Sequence, residues 1–337
     1  MIASKDDEVR TVSNQLGSWR TKLGSSWMVG VLALLVAVFS IVAPGFLSQQ
    51  NFRSTTMYAS DTLLLAVSET FVILTGGIDL SVGAVLGLSG MVSSDLMQTM
   101  LMHGTNQGIS MALGILAGLV VGFVVGLVNG LVITKLRVTS FIATLGTMGI
   151  ATGLTFIITN GADVTNIPSA MNAIGSTYIL GWFPVPFLVA VVLAVGASLV
   201  LTHTRFGVRT YAVGSNQEGT RVSGVNINKH LLKIYVISGV IAGLAGILVV
   251  ARLMTGSPLE GANDELNAIA AVVIGGASLF GGRGKILGSF IGGLVIAVLV
   301  TGLVIAGVQP YWQQVAIGMV IILAVFIDQQ QHRGRIY

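Results

Sequence analysis

Apolar residues along this chain gather in long, nearly unbroken runs. They show neither the alternation of a half-buried strand nor the single stripe of a soluble amphipathic helix. A membrane helix takes about 20 consecutive apolar residues. On that scale the runs predict ten spans, at 27–43, 57–76, 83–102, 110–134, 140–159, 183–203, 232–253, 265–281, 286–306 and 311–328. The breaks between them are polar or rich in glycine, and the Gly-rich turns at 76–83 and 281–285 are the shortest. The first run follows a polar leader and ends at Pro44 without an Ala-x-Ala site, so it reads as a retained helix rather than a cleaved signal peptide. The expected fold is all-α: a polytopic membrane protein of about ten transmembrane helices. Its expected parts are a leader at 1–25, one membrane domain at 26–330 and a short tail at 331–337.

Composition agrees with a bilayer. Charged residues make up 9% of the 337, against about 25% in an ordinary soluble domain, and the mean hydropathy is +0.88. Glycine contributes 44 residues, as expected where helix backbones approach closely in lipid. With no cysteine there is no disulfide, thiol nucleophile or cysteine-ligated metal. The net charge of +4 raises nucleic acid as a partner, but its distribution argues for membrane topology. Ten spans place the basic residues before the first run (Lys5, Arg10, Arg20, Lys22), at Lys135 and Arg137, at Arg205, Arg209, Arg221, Lys229 and Lys233, at Arg283 and Lys285, and at Arg333 and Arg335 on one side. Only Arg53 and Arg252 fall on the other. The positive-inside rule then sets both termini in the cytoplasm; nine or eleven spans would scatter these charges.

This topology makes 204–231 the longest cytoplasmic loop. Within it, Glu218–Ile234 carries charges, two Asn, a His and spaced glycines. It reads as a solvated linker or as a short helix docked on a partner protein, with Val222, Val225 and Leu232 giving it an apolar side. The spacing Glu218-Gly219-Thr220, three residues, Gly224, nine residues, Ile234 resembles the EAA loop of ABC-importer permeases, with Gly219 and Thr220 in place of two alanines. The Leu-Pro that often follows is replaced by Tyr235 and Val236. Three further stretches, "TGGIDLSVG" (Thr75–Gly83), "GVRTYAVGSNQEGTRVSGVNINKHLLKI" and "ELNAIAAVVIGGASLFGGRGKILGSFIGG" (Glu265–Gly293), resemble the ribose-type monosaccharide permeases of ABC importers, and the likeness runs from about residue 30 onward.

That resemblance implies a permease subunit importing a monosaccharide by alternating access, with no catalytic residue and no metal site of its own. It implies a cytoplasmic ATPase subunit that carries the ATP and Mg, an extracytoplasmic sugar-binding protein, and a second permease copy, identical or related. It also implies a bacterial plasma (inner) membrane. Glu218, Gly219, Thr220 and Gly224 would couple the chain to the ATPase. The residues fit this division of labour. A P-loop needs G-x-x-x-x-G-K-S/T, whereas Leu279 stands where the first Gly belongs before Gly284-Lys285, and Ile286 follows. No nucleophile or zinc-hydrolase spacing occurs, and the four His lie far apart.

Other patterns leave alternatives open. Gly76-Gly77-x-x-Leu80-x-x-Gly83 and Gly275-Gly276-x-x-Leu279-x-x-Gly282 read as an internal repeat or as coincidence. Gly114, Gly118, Gly122, Gly126 and Gly130 form a groove on one helix face, for static packing or for sliding, with Asn129 beside it placed for an interhelical hydrogen bond. Acidic residues at membrane depth are candidate functional groups. Glu69 either lines the pathway, accepting from sugar hydroxyls, or bonds a neighbouring helix. Asp79 caps the next helix or gates it. Asp61 lies near the outer end of its span, in water, and Asp95 is a further pathway candidate. In "QPYWQQ" (Gln309–Gln314), Trp312, Gln313 and Gln314 are candidate sugar contacts, and Tyr311 and Trp312 also read as interfacial anchors. Two other functions compete: an ABC permease for branched-chain amino acids, and an ion-coupled secondary transporter using Glu69 and Asp79.

Overall fold

The computed structural model describes residues 28–333; the leader expected at 1–25 and the end of the tail lie outside the described residues. The described chain is helical apart from one hairpin of two-residue strands. The elements are α1 (Met28–Val42), α2 (Gln49–Leu74), α3 (Val82–Met102), α4 (Gln107–Lys135), α5 (Ser140–Thr159), α6 (Met171–Ser176), β1 (Tyr178–Ile179), β2 (Phe183–Pro184), α7 (Val185–His203), α8 (Arg205–Ser215), α9 (Gln217–Val222), α10 (Ile227–Leu253), α11 (Asp264–Ile274), α12 (Ile286–Ile305) and α13 (Pro310–Arg333).

Among the described residues, six helices are long and apolar enough to cross a membrane: α2, α4, α5, α7, α10 and α12. The polar residues between the runs start the helices. Ser48 accepts from Asn51 N–H, Asn106 from Gly108 N–H and Asn226 from Lys229 N–H. Each satisfies one of the donors that a helix start leaves free.

Helices α2 and α10 form the centre, and α4, α5 and α7 the rim. The apolar window of α2 is 89% buried and that of α4 only 22%. Helix α4 turns its Val, Leu and Phe outward and buries Gly114, Gly118, Gly122, Gly126, Asn129 and Gly130. This is the arrangement expected in lipid, where large apolar side chains gain nothing from the interior and close backbone packing holds helices together. A β-carbon at Gly122 would overlap the Gly239 carbonyl oxygen of α10, and one at Gly126 the Tyr235 carbonyl oxygen.

Three expectations change. The run at 265–281 is not one long helix: α11 has 11 residues, about 16 Å of rise, half the hydrocarbon thickness. The segment 204–231, expected as the longest loop, forms α8 and α9, the latter a short helix as one of its two readings had it. The stretch after α2 is not a surface turn: Thr75, Gly77, Asp79 and Ser81 are all buried. The Gly repeat also shifts register. Gly76 and Gly276 both adopt positive φ. Gly77 N–H bonds Val72 O, and Ala277 N–H bonds Val272 O, two hundred positions on. The equivalent backbone turns therefore pair Gly76 with Gly276, one position from the sequence match. The glycine releases the chain from the helix end without steric cost.

Candidate functional site

Two broken helices meet inside the bundle. After α2 the chain runs back along α10 and α5. Gly77 packs under the Tyr235 hydroxyl, and Leu80 N–H donates to Thr144 Oγ1 at 3.1 Å. Helix α3 then starts at mid-bundle and runs parallel to α10. From the other end, the segment after α10 descends beside α3. Gly256 lies against Ser94, Glu260 against Gly87, and Gly261 against Gly83. Eleven positions along α3 correspond to about 16 Å. Helix α11 begins at that depth, with the Glu265 carboxylate against Gly83. The N-termini of α3 and α11 thus face each other within the bundle, a geometry in which half-helix ends present free N–H groups to a cavity.

A buried polar chain fixes the first break. Glu69, with no exposed surface, accepts from Asp79 N–H through Oε1 at 3.0 Å, and its Oε2 has no partner among the described residues. Asp79 accepts from Ser81 N–H and Ser81 Oγ through Oδ1 at 3.0 and 2.6 Å, and from Ser238 Oγ through Oδ2 at 2.9 Å. Asn129 Nδ2 donates to Ser81 Oγ at 2.8 Å, and Thr147 donates to Asn129 Oδ1 at 2.7 Å. The chain ties α2, α3, α4, α5 and α10 together. Within it, the Glu69 oxygen holds the re-entrant backbone.

Two cavities flank the second break. One, of about 340 Å³, is lined by Tyr58, Asn263, Asp264, Asn267, Gln313 and Gln314 among others. The other, of about 200 Å³, includes Thr152, Thr155, Glu260, Asn263 and Glu265. Among the described residues, no Lys or Arg lines either. Gln313 and Gln314 therefore join residues that sequence reasoning passed over. The signal for these was Asn263-Asp264-Glu265, polar residues ahead of an apolar run, which mark a helix start; nothing local says that the start lies deep. Trp312 is 65% exposed and lines neither cavity, and Asp95 lines neither. Asp61 is not in water: it is 9% exposed and pairs with Arg252 at 2.8 Å. The partner sits far away in sequence.

The opposite end of the bundle carries α8 and α9. Asn216 caps α9 through Gly219 N–H at 2.8 Å. Glu218 pairs with Arg221 at 2.7 Å, both exposed, and Thr220 is buried, its Oγ1 on Asn216 O. Gly224 adopts φ +81, with open space where a β-carbon would stand. Val222 is 82% exposed, so the apolar side expected across Val222 and Leu232 is not one buried face. Helix α8 is seated firmly. Its Gly214 touches Leu74 O and Gly282 N, Tyr211 donates to Gly284 O at 2.9 Å, and Thr210 pairs with the His230 ring at 3.0 Å.

The family of branched-chain amino acid transport system permease components matches residues 51–325. The chain is 42% identical over 302 residues to the ribose import permease protein of Bacillus subtilis, covering 89% of this chain and 91% of that one. It is 37% identical over 333 residues to the ribose import permease protein of Escherichia coli, covering 95% and 100%. It is 38% identical over 300 residues to the D-allose transport system permease protein of Escherichia coli, covering 89% and 90%. No solved structure matches.

Proposed function

The chain belongs to the family of branched-chain amino acid transport system permease components, and from that premise we propose that it is the membrane-spanning subunit of an ATP-driven importer of a ribose-type monosaccharide. It is a transport component and not itself the ATPase, a multi-pass protein of the bacterial inner membrane. The observation that carries the sugar reading is the likeness to ribose and D-allose permeases along about nine-tenths of the chain.

The chemistry of the cavities supports sugar over amino acid. A zwitterion needs a cation for its carboxylate, and neither described lining supplies Lys or Arg. The start of α11, which would attract an anion, already carries Asp264 and Glu265. A neutral polyol needs only donors and acceptors.

In keeping with the charge pattern, ten segments lie in the membrane, with α11 as a half-length element, and both termini face the cytoplasm. The end bearing α8 and α9 is cytoplasmic. There Glu218, Gly219, Thr220 and Gly224 engage a separate ATPase subunit, which holds ATP and Mg. A second permease copy completes the pathway, and an extracytoplasmic binding protein delivers sugar to the opposite end. Asn216 and Thr220 hold α9 to α8, and α8 bears on Leu74 and Gly282. A push on α9 is therefore delivered to the turns where both broken helices end.

The test is the complex of this chain with its ATPase and its sugar-binding protein in sealed proteoliposomes, with and without Glu218→Arg and Gly224→Trp. Both positions are exposed; Gly224→Trp also meets about 1–2 kcal/mol of strain at φ +81, so the melting temperature of each variant is measured to show that it folds. ATPase association or ATP-driven D-ribose uptake should fall at least tenfold in the variants. If no ATPase co-purifies and the chain alone moves solute down a proton or sodium gradient, the importer reading is wrong.

A further inference from the structure

The larger of these two cavities has the composition of a ligand site. It opens between α2, α11, α12 and α13 with a volume of about 340 Å³, within the usual range for small-ligand sites. Asn267 is 8% exposed. Its amide donates to Asp264 Oδ1 at 3.3 Å, and its carbonyl oxygen has no hydrogen-bond partner among the described residues. Gln313 uses one amide proton on Val308 O at 2.9 Å and leaves its oxygen free. The Gln314 amide and the Tyr58 hydroxyl line the same space, again without a partner among the described residues. The Asn267 and Gln313 oxygens are thus left free to accept from an incoming donor.

We propose that this cavity is a sugar-contact subsite within the permease, in which Asp264, Asn267, Gln313 and Gln314 bind ring hydroxyls and Tyr58 faces the ring. This deepens the import function and rests on it for the identity of the ligand class. The chemistry is specific in three ways. A sugar hydroxyl both donates and accepts, and a carboxamide does the same. The carboxylate of Asp264 takes two donors, matching adjacent hydroxyls. The absence of Lys and Arg from the described lining disfavours phosphorylated or acidic sugars. The helices that meet here also differ in standing. Helix α11 is a half-length helix begun inside the bundle, and α13 closes the cavity from one side, so relative movement of the two opens or closes the site. The site should bind weakly, because a transporter must release what it takes up.

The chain has no cysteine, so single replacements report cleanly. The assembled transporter, with its ATPase and reconstituted in nanodiscs, is prepared with Gln314→Cys. A second preparation carries Ala262→Cys, at an exposed position on the same lining, in case the first fails to assemble. A third carries Thr177→Cys, an exposed polar position away from this lining, as control. Alkylation by a water-soluble maleimide is followed on the permease band with D-ribose, D-allose or D-fructose at millimolar concentration, and with L-leucine for comparison. The expected result is labelling at the cavity cysteine that at least one sugar slows and L-leucine does not, with the control unaffected. Adding Asn267→Ala should raise the half-protecting concentration roughly tenfold, the loss of one hydrogen bond. A cavity cysteine that stays unlabelled, or that is labelled at the same rate with every sugar, overturns the subsite. ATP-driven D-ribose uptake by the unsubstituted complex, with its binding protein in sealed proteoliposomes, is measured in parallel. Uptake without protection overturns the subsite and leaves the import function standing. Protection without uptake does the reverse.

Discussion

Glu69 shows what a single carboxyl group does at the centre of this bundle. It lies on α2 with no exposed surface, and its one hydrogen bond goes to the backbone of Asp79. That N–H has left helix α2 and has not yet joined α3, so it needs an acceptor. Glutamine keeps an oxygen at the same place; alanine removes it. Glu69→Gln should therefore retain thermal stability in detergent to within about 1 kcal/mol, whereas Glu69→Ala should lose about 1–3 kcal/mol, the cost of an unpaired buried donor together with lost contact. Equal damage from both would mean that the ionised group, not the acceptor, is what the site needs. The sequence marked Glu69 as unusual at membrane depth and left two readings open. Its bond to a turn ten residues ahead depends on how the chain re-enters the bundle, which no local pattern encodes. The same holds for Asp61, whose partner Arg252 lies at the end of another helix.

Among the helices, glycine sorts into two populations. On α4 the glycines face α3 and α10 at backbone contact. On α5, Gly146, Gly149 and Gly153 have nothing within 4 Å of a β-carbon. Substitution should separate them. Gly122→Val drives a side chain into the Gly239 carbonyl and should cost about 1–3 kcal/mol or more by overpacking, read as a lowered melting temperature. Gly149→Ala should leave the melting temperature of the isolated subunit unchanged or slightly raised, since alanine favours helix. A stable Gly122→Val would show that α4 and α10 part easily, as a sliding surface would. Both sets read alike in the sequence, because spacing shows which residues share a face but not what that face meets. Helix α11 makes the same point. Its run of apolar residues continues past Ile274 in sequence, but Gly276 at φ +76 turns the chain away.

Across the bundle as one body, α8 is the part that joins the exposed end to the interior. Gly214 touches both the last residue of α2 and the loop before α12. Gly214→Ala places a methyl group in that contact and should push α8 off its seat. The expected outcome is ATP hydrolysis kept within about twofold while sugar uptake falls roughly tenfold, measured on the same reconstituted preparation. Equal loss of both would mark a folding defect, checked by melting temperature. Unchanged uptake would show that force reaches the interior by another route.

Membrane class, all-helical architecture and the place of almost every long helix were legible in the residues alone, because each rests on a local quantity: the length and hydropathy of a run. The family was legible too, since the "TGGIDLSVG" and Glu218–Ile234 stretches keep residue types at fixed spacing. Packing was needed to settle which helices are central, where the two broken helices meet and which polar residues share a cavity. Tyr58, Asn267 and Gln314 stand in three separate segments, and the fold brings them together. In lipid, an apolar residue on a buried helix and one on a rim helix look the same, so an apolar position by itself carries no burial signal.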